Sequence, residues 1–191
     1  FSTISPYMEE VLKLWRVSPE CVIPNTLDRA WFTLQRPTQR KIPRIISINN
    51  GWSRRKNMKR AFKAFQLVRQ NCPEIEFDVF GFDYGQGEVA HHWAKLHGLD
   101  EGVNFLGFQS SDYLRKHLPK YQALLHPALE ESFGNILIEA MVSGTPVVAG
   151  VSSGAVPWVL GQGEFGVLVN VKDPVDIARG IKRILDDHAF A

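Results

Sequence analysis

No run in this 191-residue chain approaches the roughly 18 consecutive apolar residues that a membrane-spanning helix needs, and its first residues, FSTISPYMEE, lack the charged-then-apolar pattern of a secretion signal. Cysteine is scarce. Cys21 and Cys72 are the only two, and they fall at no metal-binding or redox spacing, which suits reduced thiols in a cytosolic protein. The dinucleotide fingerprint G-x-G-x-x-G is missing too; the glycines after the second expected strand run Gly81-Phe82-Asp83-Tyr84-Gly85-Gln86-Gly87, which argues against a dehydrogenase. His91, His92 and His97 supply no metal site, because 92 and 97 miss the i, i+4 register that puts two ligands on one helical face. Acidic residues are absent from a whole segment. From Arg29 to Pro73 there are twelve Lys or Arg and no Asp or Glu, although the net charge of the chain is only +2. Such a block attracts phosphorylated ligands, polyanions or an anionic membrane surface. Without zinc-finger spacing or an RNA-recognition aromatic motif, nucleic acid is set aside as the partner.

What is present fits one sizeable domain of 21.6 kDa with 45% hydrophobic residues. Ser5 and Pro6 open a helix through Met8, Val11 and Leu12. Arg44–Ile48 is a short β-branched run and is expected to be the first strand of the main sheet, with Asn49-Asn50-Gly51 turning the chain into a helix from about Asn57. Strands follow near Ile75–Phe80, Val103–Phe108, Tyr121–His126, Val147–Ala149 and Gly166–Val169, alternating with helical patterns that end in the amphipathic run from Pro174. Strands and helices that alternate in this way specify a parallel sheet with right-handed crossovers, an α/β, Rossmann-like, doubly wound architecture. Ligands in such sheets bind beyond the carboxyl ends of the strands, where Arg54, Arg55 and Lys56 sit at the mouth of the first strand-to-helix turn.

The densest signals lie in Leu124–Gly150, LLHPALEESFGNILIEAMVSGTPVVAG. An apolar run breaks at Pro127, a polar turn carries Glu130, Glu131, Ser132 and Gly134, and a helix starts near Asn135 and stops at Gly144 and Pro146. That helix start offers free backbone N–H groups and partial positive charge to an anion such as a diphosphate, with Gly134 keeping the approach open. Glu139 falls one turn into the helix and Glu131 on the preceding turn, so both carboxylates are expected to border one pocket and accept hydrogen bonds from hydroxyls. Two glutamates at this spacing are, taken alone, most often solvated side chains. His126 reads as a buried strand-end residue rather than a catalyst.

The filling of the motif changes the weighting. Glu131-x7-Glu139 within ESFGNILIEAMVSGTPVVA, with Phe133-Gly134, Glu139-Ala140-Met141, Gly144 and Pro146-Val147-Val148, resembles the signature of the retaining glycosyltransferases of family four, and the likeness extends over nearly the whole chain. It implies the C-terminal, donor-binding half of a GT-B fold at residues 31–191. Residues 1–30 are then the remnant of an N-terminal domain plus the interdomain linker, and a chain that begins on Phe1 rather than Met is expected to be a piece of a longer protein. The resemblance further implies sugar transfer from a nucleotide-diphosphate sugar, with retained configuration and no cofactor or metal. The acceptor, a carbohydrate or lipid-linked molecule, is reached through the missing half, in a cytoplasmic and peripherally membrane-associated setting.

Carried onto these residues, the resemblance gives Lys56 and either Arg55 or Arg54 the leaving diphosphate. The amides around Gly134, Asn135 and Ile136, beside Phe133, share that charge. Glu131 holds sugar hydroxyls and Glu139 the ribose. Gly51 and Gly81 let the chain pass close to the donor, and the turn at Phe108 meets the base through backbone groups. Asn57 stands where the family has Gly after Lys, Asn50 where many members have Arg, Thr26 for a linker Gly and Trp158 for a common Glu. The alternatives are a non-catalytic nucleotide-sugar-binding module and a polyanion-binding interaction domain, with an oxidoreductase or epimerase further off.

Overall fold

The computed structural model describes residues 1–33 and 43–186. Arg36, Arg40 and Lys41 of the basic block lie outside the described residues. At the N-terminus, β1 (Ser2–Thr3) and β2 (Cys21–Val22) form a two-stranded parallel pair around α1 (Pro6–Leu14). The Ser5 hydroxyl caps α1 by accepting from the Met8 amide at 3.2 Å, and Pro6 fills a first-turn position where no amide is needed.

The body is a six-stranded sheet of β3 (Arg44–Ile48), β4 (Glu76–Phe80), β5 (Val103–Gly107), β6 (Ala123–His126), β7 (Val147–Gly150) and β8 (Val167–Val169). Every pairing is parallel, in the order β5-β4-β3-β6-β7-β8. The chain winds outward from β3 in one direction and from β6 in the other, so β3 and β6 flank the switch point of a doubly wound sheet. Helices α2 (Met58–Arg69), α3 (Val89–Leu96), α4 (Ser111–His117), α5 (Asn135–Ser143), α6 (Val156–Val159) and α7 (Pro174–Asp186) make the crossovers.

Side chains alternate across the pleat, so consecutive apolar residues of one strand feed two cores. Ile45 and Leu125 join Phe62, Phe65, Phe77 and Ile181 beneath α2 and α7. Ile46 and Leu124 join Leu137, Ala140, Val147 and Val156 beneath α5 and α6. This explains strands that read as continuous apolar runs: both faces of the sheet are covered.

Part of the basic block is paired with other segments of the chain. Arg44 pairs with Glu76 and with the buried Asp78. Arg69 pairs with Glu101, and Lys59 lies 5.1 Å from the Trp93 ring centroid. The acidic partners come from outside the segment, so the one-signed run on paper becomes a mixed surface in space.

Candidate functional site

At the switch point the carboxyl ends of β3 and β6 open on a cavity of about 290 Å³ lined by residues of three segments. Ile48, Asn49, Asn50 and Lys56 come from the end of β3 and its turn, and His126 from the end of β6. The turn after β6 and the start of α5 add Glu131 through Ile136, and Asn25 closes the rim. Parallel strands ending at one level bring these loops together, although they are up to a hundred residues apart in sequence.

The Lys56 turn is held by backbone geometry. Asn57 adopts a left-handed conformation, φ 57°, which glycine and asparagine tolerate best. Its side-chain amide donates to Pro127 O at 2.9 Å and Val171 O at 2.7 Å, and Leu129 N donates to Arg55 O at 2.8 Å. Asn57 thus replaces the expected glycine with a residue that reaches the same conformation and also ties the loops after β6 and β8 to this one.

The turn bearing Glu131 is clamped from several sides. Its backbone carbonyl accepts from Ala155 N at 2.9 Å, and a Cβ added at Gly154 would meet that carbonyl oxygen at 2.4 Å. The Ser5 hydroxyl donates to Ser132 O at 2.6 Å and the Tyr7 hydroxyl to Glu130 Oε1 at 2.7 Å. Gly134, with φ 86°, leads into α5, where a Cβ would press on the Glu131 Cγ at 3.1 Å. Asn135 and Ile136, the first two residues of α5, line the cavity, and the opening amides of a helix have no partner within its own hydrogen-bond ladder.

Glu131 is the electrostatic centre. Its Oε1 accepts from Ser132 N at 3.2 Å, while Oε2 lies 3.6 Å from Lys56 Nζ and 3.6 Å from His126 Nε2. The His126 ring, with Lys56 and Arg55 behind it, holds the Glu131 carboxyl at about 2 against the opposing effect of burial. At 3.6 Å the imidazole contact is longer than a hydrogen bond, and His126 Nε2 has no hydrogen-bond partner among the described residues although the side chain is only 3% exposed. An anionic Glu131 between two nitrogen groups can accept hydrogen bonds from hydroxyls, and the ammonium beside it can donate to an anion.

Several expected residues fall in place and others do not. Lys56, Glu131, Phe133, Gly134, Asn135 and Ile136 all line the cavity. Arg54 and Arg55 are both exposed and outside the lining; the Arg55 guanidinium donates to Glu130 O at 3.4 Å, beside the turn that bears Glu131. Glu139 corrects the expectation of one shared pocket. It opens on a neighbouring cavity of about 220 Å³ with Thr26, Leu27, Asp28, Ser111 and Arg115, and Asn135 is the wall common to both. Burial pushes its carboxyl above the ordinary range.

Gly81 is also corrected. A Cβ there would fall 1.5 Å from the Asn49 carbonyl oxygen, so its bareness serves the close approach of the chain after β4 to the chain after β3. Gly51, φ 78°, is a turn residue outside the lining, and its carbonyl accepts from the Tyr84 hydroxyl at 3.4 Å. Phe108 stacks on Phe82 at 4.7 Å, both exposed beyond the ends of β5 and β4. Trp158 meets Phe133 edge-on at 6.1 Å and thereby backs the cavity wall. Asn25, Asn49, Asn50 and Ser132 line the cavity although none is expected there as a site residue, and His126, expected as a buried strand-end residue rather than a catalyst, is the last residue of β6 and lines it too.

Comparison with known proteins follows the same outline. A family model described as Glycosyl transferases group 1 matches residues 35–191. An uncharacterized glycosyltransferase of Methanocaldococcus jannaschii is 37% identical over 93 residues, covering 49% of this chain and 24% of that protein. A D-inositol 3-phosphate glycosyltransferase of Corynebacterium diphtheriae is 34% identical over 127 residues, covering 65% of this chain and 30% of the relative. The chain therefore spans less than a third of the length of these relatives. Among solved structures, Anabaena HepE in complex with UDP and glucose superposes with a TM-score of 0.79 at 21% identity, over 99% of this chain and 54% of that one.

Proposed function

Because the chain belongs to the glycosyl transferases of group 1, we propose that it is the donor-binding domain, the C-terminal half, of a retaining GT-B glycosyltransferase that moves a sugar from a nucleotide-diphosphate sugar to a carbohydrate or lipid-linked acceptor. Residues 1–30 belong on this reading to the preceding domain and the linker. The observation that carries it is the cavity in which Lys56 and Glu131 face each other across 3.6 Å at the start of α5. A neighbouring cavity at Glu139, which shares Asn135 in its lining, supplies a second compartment of hydroxyl-accepting character. Two neighbouring compartments suit a ligand with a sugar at each end and a diphosphate between them.

The roles follow from charge. As the bond between the transferred sugar and the diphosphate breaks, negative charge gathers on the leaving phosphate. On this reading Lys56 and the amides of Asn135 and Ile136, all from the cavity lining, stabilise that charge, and Arg55 of the neighbouring turn adds to it. Glu131 orients the sugar through its hydroxyls and Glu139 orients the ribose, which places the reacting carbon without attacking it. No resident cofactor enters the scheme. The setting is cytoplasmic, with contact to a membrane surface through the basic residues left unpaired; no helix among the described residues is long and apolar enough to cross a membrane. The pairing of Arg44 and Arg69 with acidic residues weakens the polyanion-binding alternative.

A thermal-shift screen of this chain against UDP-, GDP- and ADP-glucose tests the proposal. A donor at about 100 times its dissociation constant adds roughly 2.7 kcal/mol, which for a chain of this size raises the midpoint by roughly 5–10 °C. Glu139→Ala is expected to weaken every nucleoside diphosphate. If no donor or nucleoside diphosphate moves the midpoint, the assignment fails.

A further inference from the structure

His126 is buried at the end of β6, lines the same cavity as Lys56 and Glu131, and presents an Nε2 with no hydrogen-bond partner among the described residues. A buried polar atom left unpaired is costly and is rarely retained without a partner in some state of the molecule. The nearest candidate is Glu131 Oε2 at 3.6 Å, a separation that a small adjustment of either side chain closes to a hydrogen bond. The other carboxylate oxygen is already held by Ser132 N at 3.2 Å. The carboxylate thus has one oxygen pinned by backbone and the other between an imidazole and an ammonium.

Resting on the donor-site reading above, we infer that His126 is a positioning residue: its Nε2–H closes on Glu131 Oε2 when donor fills the cavity and turns the carboxylate's free lone pairs toward the sugar hydroxyls. Lys56 is engaged by the diphosphate in that state, so it cannot hold Oε2 at full strength, and the ring takes over. The charged and titratable groups facing the ring's contact are Glu131 and Lys56, with the exposed Arg55 bonded to the Glu130 carbonyl and the Glu130 carboxylate turned toward Tyr7. The consequence is selective. His126 governs affinity for the sugar half of the donor and leaves the diphosphate half alone.

The test compares UDP with UDP-glucose by calorimetry, or the GDP or ADP pair if the wild-type chain prefers it, and reads the ratio of the two dissociation constants. His126→Leu removes the donor atom. His126→Asn carries an amide too short to reach Oε2, and His126→Gln places an amide N–H near the position of Nε2. The sugar-dependent ratio is expected to fall about tenfold in the Leu and Asn variants, the factor carried by one hydrogen bond to a charged group, and to be restored by Gln. Affinity for the bare nucleoside diphosphate stays within about twofold throughout. Melting curves check folding, and Asn stands in for Leu should Leu not fold. A ratio unchanged in Leu and Asn, or lost equally in all three variants, overturns the role of His126 while leaving the donor site standing. Failure of the wild-type chain to bind any nucleoside diphosphate overturns both.

Discussion

Replacing Glu131 by Gln tests the electrostatics of the cavity without any knowledge of the ligand. Held at about 2 rather than an ordinary 4.5, the carboxyl binds its proton less readily in the folded chain than in the unfolded one. At about 1.36 kcal/mol per pH unit the difference amounts to about 3 kcal/mol for a sequestered group. The cavity is open to solvent and the neighbouring charges are partly screened, which lowers the contribution to about 1–2 kcal/mol. Because the folded value is depressed, this stabilisation is present in full above about pH 4.5 and disappears as the pH falls toward 2. Glu131→Gln is therefore expected to melt roughly 2–8 °C below the wild type at pH 7, with the gap narrowing steadily below about pH 4.5. Urea unfolding followed by fluorescence from pH 7 to about pH 3 measures the gap as a free energy. A gap that stays constant over that range, or widens as acid is added, refutes the account of Glu131 as an ion held by His126, Lys56 and Arg55.

Other substitutions probe the frame and the division of labour among the cations. Gly81→Ala forces a methyl group to 1.5 Å from the Asn49 carbonyl oxygen, which is expected to destabilise the chain by more than about 3 kcal/mol in calorimetry; a midpoint within a degree or two of the wild type would refute the close approach. Asn57→Ala loses two buried hydrogen bonds and keeps a strained φ, costing about 2–4 kcal/mol, and Asn57→Gly recovers the strain but not the bonds. Lys56→Met is expected to weaken UDP binding at least tenfold and Arg54→Ala by less than about twofold, with Arg55→Ala between them. Equal effects at 54 and 56 in calorimetry would remove the geometric distinction drawn here.

The alternation of apolar runs with helical patterns was enough to read a parallel, doubly wound sheet, because a strand buried on both faces has a continuous apolar sequence and its crossovers carry period-3.6 patterns. Arg44–Ile48 was expected as a strand and is one, and the helix expected near Asn135 begins there. Local chemistry also sufficed for the helix stops at Gly144 and the cap at Ser5. Lys56 and Glu131 were named together on family likeness, and they meet across 3.6 Å. What spacing along the chain could not decide was direction in space. Glu139 shares a helix with Asn135 yet turns into the next cavity, since an offset of four residues adds to a helix a small rotation and a rise that carry it past the Asn135 wall. Neither Arg54 nor Arg55 lines the cavity, and it is the fold that brings the Arg55 guanidinium to the Glu130 carbonyl, 75 residues away in sequence.

The pattern of apolar residues along the chain determined that it folds as an α/β layer structure with its loops gathered at the strands' carboxyl ends, since burial and periodicity are properties of neighbours in sequence. Tertiary structure alone decided that His126, expected as a buried strand-end residue, faces Glu131, and that Gly81 lies hard against the Asn49 carbonyl. Those facts depend on which strands lie side by side, and the order β5-β4-β3-β6-β7-β8 brings together residues whose separation along the chain carries no trace of the contact.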